Sequence, residues 1–299
     1  MTMKEYLLLI LFFVFIETLF SQRIEGVVLS EDGISVSYAS VQLKNRKIGI
    51  VSDSAGHFTL PISMLMELDD TLLFSCLGFW SKTISVSNFK KNISKKQINI
   101  VLKANSILLN EISITPSNRQ TEYGFYDLKS SNVFLNGQPL SKVLVFIENT
   151  DGIGGIIKSV NMRLYRKNDK TKKLRVFFCE KATDNFQVID FSQEDIIVSD
   201  LSKSDTKIDV SKYNIPFTAH GISVGVEWIS VEGEKQNLSE KIGLSLVCTA
   251  NAKQQYTWIF QEGKWGLFPL LTEDELNKMS SSIKNKLLKS NAQIGITVY

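Results

Sequence analysis

Gly221 to Gly225, GISVG, spells the nucleophile-elbow pattern G-x-S-x-G, and His220 stands directly before it. An elbow exposes its serine on a strained strand-to-helix turn, with the acid and histidine partners later in the chain. Here both histidines, His57 and His220, precede Ser223, and the alternation of a strand continues past it. Ser223 is therefore read as a strand residue, and a hydrolase stands only as an alternative.

Metal and phosphate chemistry find less. Neither histidine has an H-x-x-E or H-x-x-x-H partner, and no C-x-x-C occurs. Cys76, Cys179 and Cys248 lie in apolar runs, LLFSCLGF, VFFCE and LSLVCTA, where cysteine behaves as a small buried hydrophobe. Three cysteines allow at most one disulfide and leave at least one thiol free. EDG at 31–33 and TDG at 150–152 lack the alternating acids of an EF-hand loop and read as β-turns. Thr150 to Ser159, TDGIGGIIKS, is glycine-rich, but Ile157 stands where a phosphate loop needs glycine before its lysine. The dinucleotide pattern fails at the same residue, and the stretch is read as a flexible hairpin loop. A glycosidase needs two carboxylates at a set separation, and no pair is singled out by the sequence.

Val51 to Leu60, VSDSAGHFTL, groups an aspartate, two serines and His57. The apolar residues on either side alternate as strands. Ser-Asp-Ser-Ala-Gly between them is turn chemistry, with Asp53 accepting backbone hydrogen bonds and Gly56 able to take positive φ. YTWIFQEGKWGLF reads as a hairpin turning at Glu262-Gly263, with other turn registers open to it. The Glu262-Gly263 register puts Tyr256, Trp258 and Phe260 on one face with Trp265 and Leu267. Such a face either stacks on sugar rings or packs as core between sheets, and core is the expectation.

These side chains are carried on a chain of 299 residues with 34 basic and 31 acidic groups. Its first segment, MTMKEYLLLILFFVFIETLFSQ, has Lys4 followed by an apolar run from Leu7 to Ile16. That run is shorter than the roughly twenty residues needed to cross a bilayer. It matches a secretory signal peptide over residues 1–22, with an uncleaved anchor as the alternative. No cysteine follows the run to take a lipid. Removing Lys4, Glu5 and Glu17 leaves a net charge of +4. The basic stretches KKNISKK and KNDKTKK lack the aromatic interleaving of single-strand binders, so nucleic acid is not an expected partner.

From Arg23 to Lys103 short alternating runs succeed one another: RIEGVVL, SYASVQLK, KIGIVS, HFTLP, DTLLFSC, WSKTISV and QINIVLK. Runs of this length between turn clusters predict an antiparallel sandwich without helical periodicity. In the second half SVNMRLYR, KLRVFFC and SVGVEWIS alternate Val160, Met162, Leu164; Leu174, Val176, Phe178; and Val224, Val226, Trp228. They are half-buried antiparallel strands. Thr272 and Glu275 have capping-box spacing, and Leu276, Met279, Ile283 and Leu287 form a stripe, predicting one short helix near 272–288. NAQIGITVY is a closing strand.

The first stretch resembles the carboxypeptidase-regulatory-like domain, a transthyretin-like β-sandwich at the front of many envelope proteins of Gram-negative bacteria. Ile24, Gly26, Val28, Gly33, Val36, Tyr38, Ala39, Val41, Gly49, Ser52, Asp53, Gly56, Phe58 and Leu60 carry the pattern. The resemblance implies an accessory fold without catalytic residues. Leu109, Glu111, Ile112, Ile114 and Thr115 echo the segment that follows this domain in TonB-dependent receptors, but the remaining chain is too short for a plug and barrel. FIEN at 146–149, DVSKYNI at 209–215 and VGVEWI at 224–229 resemble a second sandwich found after this domain in some exported bacterial proteins.

The expected organisation is a signal peptide at 1–22, a transthyretin-like sandwich at 23–103, a connector at 104–118 and a second sandwich at 119–299. The fold class is all-β. The expected function is a non-enzymatic exported envelope protein, periplasmic, outer-membrane-associated or secreted, acting as a binding or scaffolding module. A carbohydrate-binding protein or a hydrolase with its site in the second sandwich is the alternative. No catalytic residue, cofactor or metal ligand is assigned, and the ligand-binding residues are left unknown. The expected partner is another envelope protein or a glycan, with no transmembrane segment after signal cleavage.

Overall fold

The computed structural model describes residues 23–44, 49–65, 69–91, 98–105, 120–126, 128–137, 141–166, 173–179, 181, 195–229, 244–250, 252–261 and 264–299. Residues 1–22, expected as a signal peptide, the receptor-like echo at 109–115, most of both lysine-rich stretches and Glu262-Gly263 lie outside them. The chain divides into two compact units, one reaching Cys76 and resuming at Ser81–Lys103, the other formed by Leu77–Trp80 and Ala104–Tyr299.

In the first unit the seven alternating runs become seven strands: β1 Arg23–Ser30, β2 Ser40–Leu43, β3 Gly49–Val51, β4 His57–Pro61, β5 Thr71–Ser75, β6 Lys82–Ser85 and β7 Ile98–Leu102. They form two sheets, β4-β1-β7 and β3-β2-β5-β6. Alternation decides what each strand buries: in β7, Ile98, Ile100 and Leu102 are buried while Asn99 and Val101 are exposed. Phe58 and Phe74 meet in the core with ring centroids 6.0 Å apart, and Phe89 lies 6.1 Å from Phe74. Two features depart from the sequence expectation. β1 and β7 run parallel, Gly26 opposite Ile98, while the other pairings in the unit are antiparallel. A short helix, α1 (Val86–Lys90), follows β6, because Ser85 caps the nitrogen of Asn88 and Val86 and Phe89 bury their side chains.

The motif glycine Gly26 has a steric reason. A Cβ there would stand 2.3 Å from the Phe58 ring and 2.6 Å from the carbonyl of Ile98. The β1 backbone is thus bare where a core ring and the neighbouring strand press against it.

The second unit is a sandwich. One sheet has the order β13-β12-β16-β10-β18-β19, the other β8-β20-β11-β17-β9, with β14 and β15 also paired to β11. The strands are β8 Thr121–Gly124, β9 Ser130–Asn136, β10 Lys142–Ile147, β11 Gly155–Arg166, β12 Lys173–Cys179, β13 Ile196–Val198, β14 Asp205–Asp209, β15 Pro216–Phe217, β16 Ile222–Ile229, β17 Leu244–Thr249, β18 Thr257–Gln261, β19 Lys264–Leu267 and β20 Ile294–Val298. The predicted alternating triplets of β11, β12 and β16 all enter the core between the sheets, together with Val143, Val145, Leu246 and Ile296. Trp228 is buried there and its Nε1 donates to the carbonyl of Leu244 at 3.2 Å.

Asn291, which no periodicity marks, ties one end of the sandwich. Its Oδ1 accepts from the nitrogen of Tyr256 and the hydroxyl of Thr257 on β18, at 2.6 and 3.1 Å. Its own backbone exchanges hydrogen bonds with Thr249 of β17.

The expected helix near 272–288 is two helices, α2 (Glu273–Asn277) and α3 (Ser281–Leu288). Thr272 and Glu275 do form the capping box. The serines break the run, because the Ser280 side chain accepts from the nitrogen of Ile283 and starts a new N-terminus. The apolar stripe is correspondingly weak: Leu287 packs on the core, whereas Ile283 is exposed. Among the described residues no helix is long and apolar enough to cross a membrane.

Candidate functional site

The residues with reactive side chains are dispersed by the fold. In the first unit Asp53 Oδ1 accepts from the backbone of Ala55 at 2.9 Å and of His57 at 2.7 Å, while Gly56 takes φ +76°. Ser52 is buried and its hydroxyl accepts from the nitrogen of Ala39 at 2.8 Å. His57 is exposed and begins β4. The group folds a turn and presents no paired base.

Ser223 is fully buried within β16, and no hydrogen-bond partner for its hydroxyl occurs among the described residues. Its neighbours in register are Phe146 and Cys179. His220 is exposed in the turn before the strand, its backbone nitrogen 3.2 Å from Thr218 Oγ1. GISVG is a turn glycine followed by a strand. Cys76, Cys179 and Cys248 are all buried and none is joined in a disulfide, and burial pushes the Cys248 thiol up to about 12.

The glycine-rich stretch also has a different role from the hairpin loop expected of it. It leads from β10 in one sheet to β11 in the other, so it is a crossover between layers. Asn149 shapes it: Oδ1 accepts from the nitrogen of Gly152 at 2.9 Å, and Nδ2 donates to the carbonyls of Ile153 and Thr218, both at 2.9 Å. Among the described residues, no group of three His, Cys, Asp or Glu side chains is placed to hold a metal ion.

Two arrangements remain on the outer faces of the second sandwich. On the six-stranded sheet, Lys142, Glu227 and Arg175 stand side by side on β10, β16 and β12, because their neighbours in sequence point into the core. Lys142 Nζ lies 3.3 Å from Glu227 Oε1, and Arg175 Nη1 lies 3.0 Å from Glu227 Oε2. Arg175 Nε stands 3.1 Å from Asp195 Oδ1, just before β13. Two cations therefore face two carboxylates. Burial raises the Asp195 carboxyl above the ordinary aspartate value; the Arg175 charge opposes that rise and the Glu227 charge adds to it. Both acids are bound to one guanidinium.

Trp258, Phe260 and Trp265 sit on this same face, in the predicted register: Trp258 opposite Leu267 and Phe260 opposite Trp265. Tyr256, expected beside them, lies before β18 and packs against the core between the sheets. Trp258 and Trp265 pack against Leu144, Phe177 and Cys179, and the Lys142 ammonium lies 5.1 Å above the Phe260 ring. They are half-buried packing residues.

The open aromatic surface is on the other sheet. Leu164 and Leu246 enter the core, which turns Tyr165 of β11 and Ser245 of β17 outward as a cross-strand pair. Ser245 is flanked on its other side by Asn136 of β9, and its hydroxyl donates to Asn136 Oδ1 at 2.9 Å. Phe134, two residues earlier on β9, pairs with Val247. The rings of Phe134 and Tyr165 approach to 4.9 Å at 45°. They are 39% and 52% exposed, whereas Ser245 and Val247 are buried. Arg163, next outward residue on β11, pairs with Asp205 at 2.8 Å and lies 5.7 Å from the Tyr126 ring. Sequence reasoning placed the candidate aromatic face on the hairpin. It missed this one because Phe134 and Tyr165 are 31 positions apart and meet only through β17.

An all-β chain with one small two-sheet unit and one larger sandwich is a modular protein whose sheets present surfaces. Residues 24–114 match the family model described as the CarboxypepD_reg-like domain. The match covers less than a third of the chain and includes the whole described run of the first unit after Arg23. No curated protein matches the chain. The residues that carried the resemblance serve the fold: Gly26 admits Phe58, and Ser52, Asp53 and Gly56 build the β3–β4 turn.

Proposed function

We propose that this chain is an exported, non-enzymatic binding module of the cell envelope. The first unit is an accessory fold in this reading, and the second presents the ligand surface on the outer face of its seven-stranded sheet. The observation that carries the reading is the Phe134–Tyr165 pair. Two large rings stand open to solvent on a regular sheet, over a buried serine and valine. Exposed aromatics of this kind add binding area at low conformational cost. The cationic start and the apolar run from Leu7 to Ile16 support export. The pairing of Asp195 and Glu227 with Arg175, and the burial of Ser223, favour binding over turnover.

The test is a photoreactive phenylalanine analogue in place of Tyr165, in the full chain expressed in a Gram-negative host. The protein is expected in the envelope fraction, with an adduct that the same analogue in place of His57 does not form. Recovery from the cytosol alone, or equal adducts at both positions, overturns the reading.

A further inference from the structure

We infer that the ligand of the Phe134–Tyr165 face is a neutral oligosaccharide, an inference that rests on the binding reading above. Three observations select that chemistry. The first is size. With each aromatic side chain offering roughly 150–250 Å², the exposed fractions of 39% and 52% leave on the order of 200 Å² of ring surface. A stable protein interface needs about 800 Å² per partner, whereas one or two pyranose faces match the smaller area.

The second is shape. The rings meet at 45° with centroids 4.9 Å apart, making a shallow trough in place of a deep pocket. Its floor is Ser245, whose short side chain lets the two rings approach from strands on either side of β17. A sugar ring presents C–H bonds on its faces and hydroxyls round its edge. The faces suit the aromatic walls.

The third is the rim. Asn136 is exposed and uses its Oδ1 to accept from Ser245, and no partner for its amide nitrogen occurs among the described residues. The Tyr165 hydroxyl likewise has no partner there. A donor amide and a phenol at the edges of a stacking surface are the groups that bond equatorial hydroxyls. Among the described side chains, Arg163, two residues before Tyr165 on the same face of β11, is neutralised by Asp205 at 2.8 Å and is not offered to an acidic sugar.

The experiment is calorimetric titration of the full chain with cellohexaose, laminarihexaose, maltohexaose and chitohexaose, repeated with Phe134→Ala, Tyr165→Ala and Trp265→Phe. At least one oligosaccharide is expected to bind. Each alanine variant should weaken it roughly tenfold, with an unchanged unfolding midpoint because both side chains are exposed, and Trp265→Phe should bind as the parent does. No heat with any of the four at millimolar concentration, or binding that survives both alanine changes, overturns the inference. An adduct at position 165 without oligosaccharide binding removes the glycan and keeps the binding reading. Absence of both removes both.

Discussion

Arg175 Nη1 lies 3.0 Å from Glu227 Oε2 across β12 and β16, and both side chains are withdrawn from solvent. A charge pair in this position is unusual on a sheet face, because each ion sheds its hydration on folding. It is held by company: Lys142 on the far side of Glu227 and Asp195 on the far side of Arg175 make a row of alternating sign. The row fixes which residues of β10, β16 and β12 stand abreast, since a one-residue slip sends every charge into the core.

Glu227→Ala therefore removes the shared partner of two buried cations. The expected loss is about 3–5 kcal/mol, the range for breaking a buried pair from one side. Urea denaturation of the variant against the parent measures it. A loss under about 1 kcal/mol, the level of a surface pair, contradicts the account.

Asp195 gives the same row a pH dependence. Its folded-state pKa is raised, chiefly by burial, so the folded protein holds that proton more tightly than the unfolded chain. The stabilisation is complete below the ordinary aspartate value of 3.8 and is lost as pH climbs through the raised folded value. The stability of the parent minus that of Asp195→Asn should accordingly fall between acid and neutral pH. Urea midpoints of the two proteins across that interval give the slope, and a difference that grows with pH refutes the assignment.

The Asp53 turn separates fold from chemistry. Gly56→Ala places a Cβ 2.7 Å from the carbonyl of Val28 at φ +76°, an expected cost of roughly 1–3 kcal/mol. Asp53→Ala removes the acceptor of two backbone nitrogens, about 1–2 kcal/mol. His57→Ala, on an exposed side chain, should stay within about 0.5 kcal/mol. Thermal unfolding of the three variants orders them. A His57 effect as large as that of Gly56 assigns the histidine a role beyond the turn.

Ser223→Ala tests the elbow directly. The hydroxyl is buried with no partner among the described residues, and an unmatched polar group of that kind weakens the fold. The alanine variant should be as stable as the parent or more stable by roughly 1 kcal/mol, with oligosaccharide binding unchanged. Hydrolysis of a p-nitrophenyl ester by the parent that disappears in Ser223→Ala would make it a nucleophile.

Local pattern determined the all-β character of this chain and the inward faces of its strands. Alternation at Val160, Met162 and Leu164, or at Leu174, Val176 and Phe178, settles which side chains enter the core between the sheets, because side chains on a strand point to opposite faces in turn. It does not settle exposure: β12 and β16 were expected to be half-buried, yet Arg175, Phe177 and Glu227 on their outer faces are buried too. The turn at Asp53–Gly56 and the capping box at Thr272 were legible for the same reason, as their bonds close within a few residues. Tertiary structure alone decided which strands became neighbours. The parallel approach of β1 and β7, the crossover made by TDGIGG and the charge row from Lys142 to Asp195 all depend on pairings between distant segments. The open aromatic face followed from that as well. Trp258 and Trp265 advertise themselves in one hairpin yet are packed, while Phe134 and Tyr165 become a pair only when β17 brings β9 and β11 to either side of Ser245.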